Sequence, residues 1–216
     1  GIVAGSFGPG AIDAAAIGTG AIDADSIAAA AITAAKFAAG AIDADALLIE
    51  DYNKGTLVPQ VIERGLALAK KRGVPVVVDP KFKHFFAYRG ATVFKPNRRE
   101  LEQAMGAALD LAHPDALPGV LGKLAVDNLL LTLGAEGMIL VTKDGEITRI
   151  PTMAREVYDV SGAGDTVIAT FTLALAAGAP IEQAARVANQ AAGIVVGKLG
   201  VATVSPEELL ATLPSG

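Results

Sequence analysis

Cysteine is absent from the 216 residues, which excludes disulfides, thiolate metal sites and a cysteine nucleophile. Tryptophan is absent too, and the two histidines, His84 and His113, stand apart without a spacing partner, so neither is assigned a metal. Basic residues number 18 against 23 acidic ones, and no dense Lys/Arg stripe occurs. A nucleic-acid partner, whose phosphates demand a basic face, is therefore not expected. Apolar residues make up 52% of the chain, yet no uninterrupted run approaches the ~20 residues that a membrane-spanning helix needs. No basic n-region with a leucine-rich stretch opens the sequence. A soluble, cytoplasmic protein without a membrane partner is the expectation.

What is present divides into two regions, residues 1–45 and 46–216. From Ala11 to about Ile49 the chain falls into five-residue units such as GAIDA, AAITA and AKFAA, with Ile12, Ile17, Ile22, Ile27, Ile32, Phe37, Ile42 and Leu47 at the unit centres. A period of five matches neither the helix nor the strand. Either a small solenoid of stacked short rungs or an Ala/Gly-rich linker packed on the following domain accounts for it. Asp13, Asp23, Asp25, Asp43 and Asp45 have no His or basic partner there and are read as turn or solvated-corner residues.

After Ala46 the pattern alternates between β and α. ALLIE (Ala46 to Glu50) and PVVVD (Pro75 to Asp79) are short apolar runs ending in an acid, as buried parallel strands would be. Between them, Val61, Ile62, Leu66, Leu68 and Ala69 recur at helical spacing over roughly Val58 to Arg72, and Lys70, Lys71 and Arg72 suit the dipole of that helix's last turn. Further strands are predicted at Ala91 to Phe94, Asn128 to Leu133 and Gly137 to Thr142, the last turning at Lys143-Asp144-Gly145 into a hairpin with Glu146 to Ile150. Helices are predicted from about Arg98 to Met105, Gly164 to Ala177 and Ile181 to Lys198. The expected fold is α/β, three-layered, with a mostly parallel sheet covered by helices on both faces and ligands at the carboxyl ends of the strands.

The segment richest in chemistry is DVSGAGD, Asp159 to Asp165, followed at once by an apolar helical run. Gly162, Ala163 and Gly164 let the backbone approach a ligand closely, and a helix opening there aims unpaired N–H groups and its positive dipole end at one spot, where an anion would bind. Asp165 beside such a site suits a general base that takes a proton from a substrate hydroxyl while the amides stabilise a transferring phosphoryl group. A plain Gly-rich turn with Asp165 as a helix cap is the alternative.

DVSGAGDT resembles the C-terminal signature of the ribokinase (PfkB) family of carbohydrate kinases. EDYNKG (Glu50 to Gly55), VDPK (Val78 to Lys81), YRGATVFKPNRRELE (Tyr88 to Glu102), PTMAREVYDVSGAGDTVIA (Pro151 to Ala169) and ANQAAGIVVGKLGVATVSPEEL (Ala188 to Leu209) resemble, more narrowly, the family's D-glycero-β-D-manno-heptose-7-phosphate kinases of lipopolysaccharide core synthesis. The resemblance implies a ribokinase-like fold, Asp165 as catalytic base, and Gly162, Ala163 and Gly164 as the anion hole. It implies that Asn97 and Glu100 place magnesium and the phosphates through ordered water. On their own these two residues equally make a helix cap and its capping-box partner. It implies a nucleotide-binding turn at Thr132, Gly134 and Gly137, and an adenine-pocket wall from Asn189, Gly193 and the Val201 to Ser205 loop, with Thr203 and Ser205. It further implies a monovalent-cation site, potassium for example, drawing on Asp159 and Thr203. Asp51 and Lys54 would bind the sugar or its phosphate, or else belong to a solvated loop.

ATP and a sugar phosphate are the implied partners. The first strands, the β-sheet lid and the sugar-binding region of such a kinase are expected to be missing, with the five-residue repeat in their place, and no nucleotidyl transfer is expected. An apolar sheet edge left open in this way would favour a homo-oligomer. Two functions follow as expectations: phosphorylation of heptose 7-phosphate by ATP, or a nucleotide-binding or assembly module without turnover.

Overall fold

The structure, a computed structural model, describes residues 44–154 and 158–212. The five-residue repeat up to residue 43 lies outside the described residues. The strands are β1 (Leu47–Glu50), β2 (Val76–Asp79), β3 (Val93–Phe94), β4 (Asn128–Thr132), β5 (Met138–Val141) and β6 (Ile147–Ile150), and they form one sheet in sequential order. β1 to β4 pair in parallel, while β4, β5 and β6 pair antiparallel. The helices are α1 (Pro59–Arg72), α2 (Arg98–Met105), α3 (Pro118–Leu124), α4 (Ala163–Ala176), α5 (Ile181–Val196) and α6 (Pro206–Leu210).

Strand alternation sends side chains to two cores. Val76, Val78, Phe94, Leu129, Leu131 and Ile139 point to one face and pack with Ile62 and Ala69 of α1, Leu101 of α2 and Leu121 of α3. Val77, Val93, Leu130, Met138 and Leu140 point to the other and pack with Val167, Ile168 and Phe171 of α4 and with Ala184, Ala185 and Ala188 of α5. The expected three layers are thus present. Both faces are covered, so the strands are apolar at consecutive positions, as parallel strands buried on both sides require. Each large aliphatic residue buried here contributes on the order of 1.5–3 kcal/mol.

The predicted elements hold to within one or two residues. α1 ends at Gly73 in the left-handed conformation with Lys70, Lys71 and Arg72 in its last turn, as its sequence anticipates. The short helices α3 and α6 were not anticipated. Each begins with a proline at its first turn, and seven and five residues respectively are too few for a helical period to emerge.

Gly137 opens β5 with φ +89°, and a Cβ there would collide with the Ile150 carbonyl oxygen and stand 2.6 Å from the Thr152 amide nitrogen. Gly137→Ala is therefore expected to destabilise the protein by about 1–3 kcal/mol from backbone strain alone, the collision adding to it. The midpoint of denaturant unfolding reads this out, and an unchanged midpoint would contradict the close approach.

Candidate active site

The carboxyl ends of β1, β2 and β3 deliver, in turn, Glu50, Asp79 and, one residue beyond β3, Lys95. Each follows an apolar run that the core holds, so the charged group stands where the hydrophobic layer stops. Lys95 and Asp79 are almost wholly buried, and Lys95 Nζ lies 2.7 Å from Asp79 Oδ2. Burial pushes the Asp79 carboxyl above its ordinary range, against the opposing pull of Lys95.

α4 enters this layer from the opposite side. Gly162, at φ +79°, is its N-cap, and Ala163, Gly164 and Asp165 form its first turn. The left-handed turn at Gly162 is what brings the helix start down onto the strand ends. A Cβ on Gly164 would lie 3.6 Å from Lys95 Nζ, so the buried ammonium sits directly under the helix's positive end. First-turn amides without intrahelical acceptors and an ammonium can together receive an anion, although the Ala163 amide already donates to the Val160 carbonyl. Asp165 stands beside it, and its carboxylate, with those of Glu50 and Asp79, forms a trio whose nearest oxygens all lie within 4.8 Å of one another. The Tyr52 hydroxyl lies 3.0 Å from Glu50 Oε1 and 3.2 Å from Asp165 Oδ2. Burial, then the hydrogen bond with Asp165, raises the Glu50 carboxyl above its usual range.

A cavity of about 520 Å³ opens over this layer. Asn97, Glu100, Thr132, Gly134, Gly137, Ala163, Gly164, Asp165, Asn189 and Gly193 line it, together with Asp79, Lys81 and Lys95. Asn97 and Glu100 form a complete capping box at the start of α2: Glu100 N–H donates to Asn97 Oδ1 and Asn97 N–H donates to Glu100 Oε2. Glu100 Oε1 accepts from Lys81 Nζ. Burial lowers the proton affinity of Lys81, but this hydrogen bond together with the charges of Glu100, Asp79 and Asp165 outweighs it and holds the ammonium above its usual range. Capping and cavity lining therefore coexist in the same two side chains. Thr132 joins Asn97 through an isolated parallel bridge. Asn189 Nδ2 donates to the Pro151 carbonyl, and a Cβ on Gly193 would lie 3.1 Å from the Met153 carbonyl carbon, so α5 leans against the 151–154 segment.

The remaining sequence-assigned residues lie elsewhere. Asp51 is buried and accepts hydrogen bonds from the Tyr88 hydroxyl and the Asn53 amide. It lines, with Lys54, a second cavity of about 390 Å³ between β1 and α1. Thr203 and Ser205 do not line the main cavity: the Thr203 carbonyl accepts from Lys198 Nζ, and Ser205 caps α6 in a capping box with Glu208. Asp159 is only partly covered, and the Ser161 amide donates to it, holding its carboxyl below the usual range. Glu50, Tyr52, Asp79, Lys81 and Lys95 were given no role from the sequence. The signal that marks three of them is the charged residue closing each apolar strand.

The family model for pfkB family carbohydrate kinases matches residues 25–208. The chain is similar to the bifunctional protein HldE of Geotalea uraniireducens, with 48% identity over 171 residues, covering 78% of this chain and 35% of that protein. It spans about a third of the length of the curated relatives it matches. Among solved structures it is similar to the ribokinase of Thermotoga maritima (26% identity, TM-score 0.62, 81% of this chain and 60% of that one). It is also similar to the Arabidopsis thaliana ribokinase complexed with ribose and ATP (24% identity, TM-score 0.67, 76% of this chain and 54% of that one).

Proposed function

The chain belongs to the pfkB family of carbohydrate kinases, and we propose that it transfers the γ-phosphoryl group of ATP to a sugar hydroxyl. The favoured acceptor is heptose 7-phosphate, giving heptose 1,7-bisphosphate for lipopolysaccharide core precursors, a reading supported by the 48% identity to HldE. One observation carries the chemistry: Asp165 stands on the first turn of α4, beside its amides and above the buried Lys95.

In this reading Asp165 takes the proton from the acceptor hydroxyl, whose oxygen attacks the γ-phosphorus as the bond to the β-γ bridging oxygen breaks and ADP leaves. The Gly162 and Gly164 amides of the turn and the Lys95 ammonium face the charge that develops on the transferring group, the Ala163 amide being held by the Val160 carbonyl in the unliganded turn. Thr132, Gly134 and Gly137 give a narrow, side-chain-poor wall for the phosphates, and Asn189 and Gly193 the wall on the nucleotide's base side. Magnesium, when bound, would neutralise phosphate charge. Both Glu100 oxygens already accept protein hydrogen bonds, so Asn97 and Glu100 fit contact with the ion through water. A monovalent cation, potassium for example, is assigned to Asp159 and Thr203, since the Thr203 carbonyl and the Asp159 carboxylate keep acceptor capacity beside Lys198 Nζ and the Ser161 amide. Asp51 and Lys54, which line the cavity beside β1, are proposed to meet the acceptor sugar and its phosphate. Self-association belongs to the same proposal, since among the described residues β1 pairs with β2 alone.

Calorimetry with ATP and magnesium, followed by addition of heptose 7-phosphate and a phosphate-transfer assay, tests the reading. Nucleotide binding with transfer to the sugar is the expected result. Binding without transfer would leave a nucleotide-binding module, and no binding would overturn the proposal.

A further inference from the structure

Asp165 does not meet the cavity alone, and the groups around it balance unevenly. From β2 and the residues after it come Asp79 and Lys81, from β3 Lys95 and from α2 Glu100, all lining the cavity, while Glu50 and Tyr52, from β1 and its extension, line the neighbouring cavity between β1 and α1 and reach the Asp165 carboxylate from that side. Asp79 is answered by Lys95 and Glu100 by Lys81. Among the described residues no ion pair joins Glu50 or Asp165 to a cation, and Lys81 acts on Asp165 only at longer range.

Between these two carboxyl groups lies a single phenol. The Tyr52 hydroxyl has one hydrogen, yet it stands within hydrogen-bond distance of an oxygen of each: 3.0 Å from Glu50 and 3.2 Å from Asp165. One hydrogen serves one of the two contacts well, and the other requires a proton on the carboxyl side. Burial makes the Tyr52 phenol itself harder to ionise, so it does not resolve the count by losing its proton.

Resting on the reading of Asp165 as the base, we propose that Glu50 and Tyr52 are positioning residues for it. The Glu50 carboxyl holds a proton and donates it to the Tyr52 oxygen, and the Tyr52 hydroxyl donates to Asp165 and fixes the direction of its carboxylate. The assignment of the proton to Glu50 rather than Asp165 follows from exposure. Asp165 is exposed on the cavity side, whereas Glu50 is partly covered and burial favours its neutral form. The arrangement gives Asp165 a fixed hydrogen-bond donor without placing a second full negative charge beside the incoming phosphates.

The test follows the side-chain carboxyl carbon of Glu50 by ¹³C NMR through a pH titration of the full chain, ligand-free and with divalent ions chelated. Glu50→Gln identifies the signal, and Asp165→Asn and Tyr52→Phe are compared with it. The Glu50 midpoint is expected above the ordinary glutamate range and to fall when Asp165 is made neutral. An ordinary midpoint in the parent protein, or one that Asp165→Asn leaves in place, overturns the proposal whether or not the protein turns over. In the transfer assay Tyr52→Phe is expected to lower kcat by about 10-fold to 100-fold with KM for ATP unchanged, as misdirection of a reacting group does. An unchanged kcat, or a loss confined to KM, counts against the positioning role. An absence of transfer in the parent protein would instead defeat the functional reading, and the titration would still decide the proton's location.

Discussion

Asp165→Asn is expected to lower kcat by about 10²–10⁴-fold, the range that a positioned general base supplies, while ATP affinity stays near that of the parent protein. The substitution keeps the shape of the side chain and removes only its ability to take a proton. Its neighbours argue that the fold survives: Asp165 is exposed at the rim of the cavity, and the Gly162 turn that seats α4 does not depend on its charge. Phosphate transfer under single-turnover conditions, paired with calorimetry of ATP binding, checks both halves. Retained transfer would remove Asp165 from the base's role. A parallel loss of nucleotide affinity would mean that the carboxylate holds the phosphate site together rather than taking a proton.

Lys95→Met is expected to cost roughly 3–5 kcal/mol of stability, because removing one partner of a buried ion pair leaves the other charge uncompensated. The apolar stem of Met fills the space of the Lys chain, so the loss reports on charge. Asp79 already has its carboxyl raised by burial. A raised carboxyl binds its proton more tightly in the folded than in the unfolded state, so its unfavourable contribution is present at higher pH and relieved as pH falls through the folded-state value. Without Lys95 the Asp79 carboxyl rises further, and the deficit of the variant should narrow on acidification. Denaturant midpoints of both proteins at mildly alkaline and mildly acidic pH check this, and a pH-independent deficit would assign the loss to packing. Adding Asp79→Asn to Lys95→Met should recover most of the stability by removing the orphaned charge.

Much of the frame was legible before the structure, for reasons that particular residues make plain. The strand at Val76–Asp79 and the helix at Pro59–Arg72 announce themselves through an unbroken apolar run and a helical period. The turn that opens α4 at Gly162 was legible because glycine takes a positive φ at no steric cost. Less legible was which residues the fold would gather. Glu50, Asp79 and Asp165 are far apart in sequence, and only the parallel register of β1 and β2 and the approach of α4 bring their carboxylates together. Asp51 shows the converse: adjacent to Glu50 in sequence, it turns to the opposite side and is taken up by Tyr88. Successive side chains along a strand point to opposite faces, so the Glu50 and Asp51 carboxyls find different partners although both residues line the cavity between β1 and α1. Lys95 could have been found by its place directly after the apolar ATVF run, where a charged side chain at the end of a central strand is costly unless it is paired.

The sheet order places the two halves of the site on strands of unequal standing. β2, β3 and β4 each have a neighbour on both sides, and their residues Val77, Val78, Val93 and Leu130 are wholly shielded from solvent. β1, which carries Glu50 and leads into Tyr52, has one described neighbour, and three of its four residues are only partly shielded. Local opening free energies follow such differences in burial and pairing. Fluctuations that release the β1 side would leave Asp79 and Lys95 seated in the doubly paired, fully covered part of the sheet, so on the proposed reading the acceptor side can open while the anchor of the phosphate side persists.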